Sequence, residues 1–198
     1  MNLRTVLLTL ALPVVLGTTR GADCCQEPAP AAPPLPARSV YQLDATWTTD
    51  SGTAFMLAEL RGRPVVLAMF FASCGYACPR IVSDLAQIEA TLPADVRARA
   101  RFVLVSFDDV RDTVAALHAY REQHELAADR WILLRGAPGD IRELAAVLGV
   151  SYRRETSGLF SHSNLITVLD ANGEIVHQRS GLEGGLPATT RALLAAAR

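Results

Sequence analysis

The stretch Phe70-Phe71-Ala72-Ser73-Cys74-Gly75-Tyr76-Ala77-Cys78-Pro79 places two thiols four residues apart, between an apolar run and a proline. The run Val65–Phe71 follows Gly62-Arg63-Pro64 and reads as a strand buried on both faces. Pro79 suits the first turn of a helix that continues to about Thr91, with Ile81, Leu85, Ile88 and Leu92 on one face. The cysteines therefore fall at the carboxyl end of a strand and the amino end of a helix, where open α/β sheets place their sites. A helix N-terminus carries partial positive charge and unpaired N–H groups, which favour thiolate over thiol. The spacing is C-x-x-x-C, one residue longer than the dithiol redox motif C-x-x-C. The longer loop leaves room for a metal between the sulfurs and still lets them close a disulfide. An inert bridge is the plainer alternative, but the loop before Pro79 reads as exposed, and closing so short a loop stabilises little.

Outward from this point strands and helices alternate. Arg101–Phe107 is a second buried strand, and Asp112 is expected to cap a helix that carries Val114, Leu117, Tyr120 and Arg121 and ends near His124. Asp108 closes that strand on the same edge as the cysteines, where it can neighbour a metal, meet a partner or cap the helix. Trp131–Leu134 is a third strand, and Gly139–Leu148 a helix stopped by Gly149. Leu165–Leu169, a turn at Asn172-Gly173 and Glu174–His177 form a hairpin, followed by a helix over Pro187–Ala197. Upstream, Ser39–Asp44 and Ala54–Leu57 read as short strands around a turn at Thr49-Asp50-Ser51-Gly52. The order predicts an α/β, three-layer sandwich with a mixed central sheet and a short N-terminal β extension.

The 198 residues suffice for one domain with a real core. Half are apolar, a fifth are charged, and the formal net charge is −1. All nineteen basic residues are Arg, scattered along the chain and never gathered into the stripe a nucleic-acid surface needs. Residues 1–22 read as an export signal: Arg4, an apolar run from Val6 to Leu16 broken only by Thr9 and Pro13, then small residues to Ala22. The run is about half the ~20 residues that span a bilayer, so a cleaved signal is expected over a permanent anchor. Lipidation at Cys24 or Cys25 fits the flanking residues poorly. Residues 23–38 hold Cys24-Cys25 and the Pro/Ala spacer EPAPAAPPLPAR, and the folded domain is expected over 39–198. The expected compartment is the periplasm or cell envelope, with a membrane tether left open; it is oxidising, so thiols there are bridged, metal-bound or actively kept reduced.

Three segments together resemble the Sco/SenC family of thioredoxin-like copper proteins. They are Cys74–Pro79, the strand end Val105-Ser106-Phe107-Asp108 followed by Arg111-Asp112-Thr113, and His162-Ser163 ahead of Leu165–Leu169 and Asp170-Ala171-Asn172-Gly173. They occur in family order and span the domain from about Ser39 to the C-terminus. The resemblance implies a thioredoxin-like fold and a metal site of Cys74, Cys78 and His162. It also implies a role in maturing the copper centre of cytochrome c oxidase. His162 lies in what reads as a Gly/Ser-rich loop, Ser157 to Ser163, whereas His118, His124 and His177 show no comparable setting. Two thiolates and an imidazole suit Cu(I), hold Cu(II) with a further donor, and also accept zinc; the resemblance turns the choice to copper.

The leading expectation is a copper-binding accessory protein, a metallochaperone more than an enzyme. Its implied partners are a membrane-associated copper subunit of a terminal oxidase or another copper chaperone. The alternative is a thiol–disulfide oxidoreductase in which Cys74 and Cys78 reduce a partner's copper-ligand cysteines and His162 tunes the thiolate. A redox sensor remains a third class. A peroxidase is disfavoured, since Phe71 stands three residues before Cys74 and no general base adjoins it. Cys24-Cys25 could hold a second Cu(I) or relay metal to the main site.

Overall fold

The computed structural model describes residues 33–156 and 158–198; the expected signal and Cys24-Cys25 lie outside them. Among the described residues no helix is long and apolar enough to cross a membrane. In chain order the strands are β1 (Trp47–Thr49), β2 (Ala54–Phe55), β3 (Val65–Phe70), β4 (Arg101–Ser106), β5 (Trp131–Arg135), β6 (Tyr152–Arg154), β7 (Phe160–His162), β8 (Leu165–Leu169) and β9 (Ile175–Ser180). The α-helices are α1 (Ala77–Thr91), α2 (Ala94–Arg99), α3 (Val114–Gln123), α4 (Pro138–Leu148) and α5 (Leu186–Ala196).

Seven strands form one mixed sheet in the order β2-β1-β5-β4-β3-β8-β9. β3, β4 and β5 run parallel, whereas β8 pairs antiparallel with both β3 and β9. Every residue of β3 is buried, as is all of β4 after Arg101, so both faces of the sheet are covered and the expected sandwich forms. Phe102 stacks on Trp131 across β4 and β5, and Phe70 packs against Tyr120 of α3. Two buried ion pairs fasten elements to this core. Arg121 of α3 grips both oxygens of Asp50 and also donates to the carbonyls of Leu126 and Trp131. Arg179 of β9 reaches Asp84 of α1 at 2.7 Å, and Arg80 meets the other Asp84 oxygen at 3.1 Å.

The N-terminal part differs from expectation. Residues 39–44 are not a strand but carry a 3-10 turn over Val40–Gln42, and the strand lies further on, at Trp47–Thr49. Tertiary contact decides this: the Val40 N–H donates to Gly173 O, the Ser39 hydroxyl donates to Asn172 O, and Tyr41 lies against Gly173. Gly173 has a φ of +81°, and a Cβ there would come within 2.5 Å of the Tyr41 ring, so glycine is required on both counts. β2 stops at Phe55, and Leu57–Leu60 turn into a 3-10 segment. Helix α2 and the ribbon β6–β7 were not anticipated by periodicity. Gly149, at φ 74°, ends α4 as its pattern predicts.

Candidate metal centre

The C-x-x-x-C loop is set by the elements on either side of it. β3 ends the central strand at Phe70, and α1 begins at Ala77, so Cys74 sits in the connecting loop while Cys78 occupies the first helical turn. The Cys74 N–H donates to Phe71 O at 3.1 Å, and the Cys78 N–H points at Cys74 Sγ at 3.3 Å. Cys78 is wholly buried, Cys74 is partly exposed, and both are free thiols. Hydrogen bonding from the Cys78 thiol lowers the Cys74 pKa, assisted by the Cys78 and Tyr76 backbone N–H groups and by His162, against a smaller opposing effect of burial. The same Cys74 contact, with burial, pushes the Cys78 thiol up. Both effects favour thiolate on Cys74 over Cys78.

His162 comes from a different part of the fold. It is the last residue of β7 in a two-stranded ribbon separate from the main sheet, paired in register with Tyr152. This corrects the expectation of an irregular loop: alternation is too short and too polar over Tyr152–Arg154 to announce a strand. The His162 Nδ1 lies 3.2 Å from Ser163 O. With Nδ1–H donated to that carbonyl, the Nε2 lone pair is left available as a donor to a metal. Phe71 and Phe107 wall the imidazole, with ring centres 5.8 and 5.1 Å away. Phe160 closes on both of these rings at 5.3 and 5.0 Å.

The outcome is that Cys74, Cys78 and His162 each turn a ligand atom to one place, all within 4.8 Å of one another. Among the described residues no other group of three such side chains gathers. His118 sits 3.9 Å from Asp50, His124 packs at a tilt against Tyr120, and His177 meets the Thr189 hydroxyl.

Neither aspartate caps α3. Thr113, not Asp112, caps α3, its hydroxyl accepting from the Ala116 N–H. Asp112 is buried and accepts from the Ala72 N–H at 2.9 Å and from the Ser106 hydroxyl, so it pins the start of the cysteine loop to β4. Burial raises its carboxyl pKa against those two hydrogen bonds. Asp108 is also buried, but it pairs with Arg111 and with Arg154 of β6. Burial works to raise the Asp108 carboxyl, yet the hydrogen bonds from Arg111 and the charges of Arg111 and Arg154 outweigh it and hold it below its ordinary value. Asp108 therefore moors the ribbon that carries His162. The aromatic wall had one legible trace in the sequence, since Phe71 and Phe107 each end an apolar run; Phe160 and Arg154 had none.

A parallel-cored, helix-covered sheet with a thiol pair at the centre of its carboxyl edge, faced by one imidazole, defines a thioredoxin-fold protein built for soft-metal or dithiol chemistry. The chain matches the SCO1/SenC family over residues 37–192 and belongs to that family. It is 28% identical over 142 residues, 70% of this chain and 67% of the other, to a Stutzerimonas stutzeri protein whose name proposes copper binding. The crystal structure of Arabidopsis thaliana ScoI with copper bound superposes with a TM-score of 0.64 at 21% identity, covering 77% of this chain and 94% of that one. BsSco, described as a member of the Sco family of cytochrome c oxidase assembly proteins with a disulfide switch, gives 0.67 at 19% identity, covering 79% and 94%. At these identities the structural matches establish the fold.

Proposed function

We propose that this protein binds one copper ion through Cys74, Cys78 and His162 and hands it to the copper site of a respiratory oxidase, in the periplasm or cell envelope. The observation that carries the reading is the convergence of two cysteine sulfurs and an imidazole nitrogen within 4.8 Å. Two soft sulfur donors and one nitrogen favour copper, above all Cu(I), over hard cations. Its family and the copper-bound relative support the choice of copper over zinc. The oxidase as destination rests on what BsSco is described as doing. The buried Cys78 and the ring-walled His162 hold the ion from inside the fold, and the exposed Cys74 is the donor an incoming ligand can reach first.

Titration of the reduced protein with copper, followed by elemental analysis, tests this directly. One copper per chain is expected. The His162→Ala variant should lose more than the roughly 10–100-fold that removal of a group merely orienting a ligand costs. No bound copper, with a model disulfide still reduced, would overturn the reading.

The difference in exposure between the two thiols also favours a second activity. Cys74 thiolate can attack a partner disulfide, forming a mixed disulfide and releasing one partner thiolate. Cys78, after losing its proton, then attacks Cys74 Sγ, freeing the partner's other thiolate and leaving a Cys74–Cys78 bridge. Two electrons pass to the partner, and an external dithiol must restore the pair. Survival of this reaction in His162→Ala alongside loss of copper would separate the two activities.

A further inference from the structure

Beside the ribbon that carries His162 opens a surface cleft of about 310 Å³; it shares Phe107 and Phe160 with the wall of the metal site but contains none of the three candidate ligands. Its floor is aromatic: Phe107, Tyr152 and Phe160 line it, with Phe107 and Tyr152 stacked at 5.2 Å and 17°. Its rim is basic, with Arg142, Arg153 and Arg154 set against the one acidic lining residue, Asp109. These arginines are held unequally. Arg154 is bound to Asp108 and Asp109 and lies over the Phe160 ring at 4.7 Å. Arg153 meets only Glu155, in an exposed pair that contributes little, and Arg142 has no ion-pair partner among the described residues. A cleft with a flat apolar floor, the guanidinium of Arg142 and an Arg153 held only in an exposed pair with Glu155 fits an acidic segment that carries an aromatic or aliphatic side chain.

We infer that this cleft docks an acidic segment of the protein that exchanges copper with the site. This identification of the partner rests on the copper-handling reading above. The placement suits the purpose. Phe107 forms the cleft floor and also packs on the His162 ring at 5.1 Å, and Tyr152 is the register partner of His162. A segment seated there is held one ring's thickness from the imidazole. Arginine–carboxylate contacts orient it, and complementary charge speeds its arrival.

The test uses the reduced full-length protein and a synthetic peptide, acetyl-Asp-Glu-Phe-Glu-Asp-amide, followed by amide NMR shifts at low salt. Its Asn/Gln counterpart and inorganic phosphate serve as controls. Shifts are expected at Ile141, Arg142, Tyr152 to Arg154 and Phe160. Combined Arg142→Glu and Arg153→Glu should weaken binding roughly tenfold or more, as should raising the salt. The Asn/Gln peptide should leave these signals in place. Shifts elsewhere or none, indifference to charge reversal, or the same shifts from phosphate at equal concentration would each overturn the inference; the last would mean an anion site only. Copper stoichiometry is measured on the same samples. A chain that takes the peptide but no copper refutes the metal reading and leaves the cleft as a docking surface; one that takes copper but no peptide does the reverse.

Discussion

At the scale of single residues, Asp112 shows how a side chain well outside the candidate site positions it. Its carboxyl accepts from the Ala72 N–H and the Ser106 hydroxyl, both in or beside the turn that delivers Cys74. Asp112→Ala leaves those two donors without an acceptor in a buried place, a change that costs about 1–3 kcal/mol. Urea denaturation of the metal-free protein should show that loss with an unchanged m-value. Cys78→Ser is expected to act differently. It keeps the shape of the site, and it should remove copper binding by titration while leaving the denaturation midpoint close to that of the parent. Of these two residues only the cysteine declares its role in the sequence, because a thiol spacing is a local pattern. Asp112 reads as a helix cap, since an Asp before a helical run usually is one, and only the folded chain shows that Thr113 takes that place.

At the scale of elements, two ion pairs do different work. Asp84 lies wholly buried on α1, facing Arg179 of β9, whose side chain is 5% exposed. Asp84→Ala strands a buried guanidinium and should destabilise the fold by about 3–5 kcal/mol, measurable as a lowered denaturation midpoint. Asp108, with Arg111 and Arg154, ties the ribbon β6–β7 to the end of β4. Its carboxyl pKa is depressed in the fold, so its contribution is present above the ordinary carboxylate value and is lost as pH falls through the lower, folded value. Amide exchange followed downward from about pH 5 should therefore show residues 152–162 opening before the main sheet does, and Asp108→Asn should abolish that pH dependence. The central elements were legible because β3 and β4 are apolar at consecutive positions, a signal that survives without tertiary information. β8 matched its predicted bounds for the same reason. The ribbon, α2 and the 3-10 turn at Val40–Gln42 were not legible. They are short, and long-range contacts such as Tyr41 on Gly173 and Arg154 on Asp108 decide them.

For the molecule as a whole, a ligand that binds the folded chain and not the unfolded one raises stability by mass action. Free Cu(I) held at a hundred times its dissociation constant should add about 2.7 kcal/mol. For a chain of this size that corresponds to a rise in Tm of roughly 5–10 °C, reversed by a strong chelator. Protein oxidised beforehand, with Cys74 and Cys78 joined, should show no such rise in calorimetry. The order of the strands adds a constraint in time. β3 lies in the middle of the sheet between β4 and β8, and β8 comes from the far end of the sequence. The two sulfurs belong to one short loop and can approach each other as soon as α1 starts to wind. The imidazole arrives only when most of the polypeptide has been synthesised and the sheet has closed around its middle strand. A chain emerging from N- to C-terminus thus passes through an interval in which its thiols are together and unguarded. A metal bound by all three side chains would be loaded only after folding, and whatever keeps that pair reduced would have to act first.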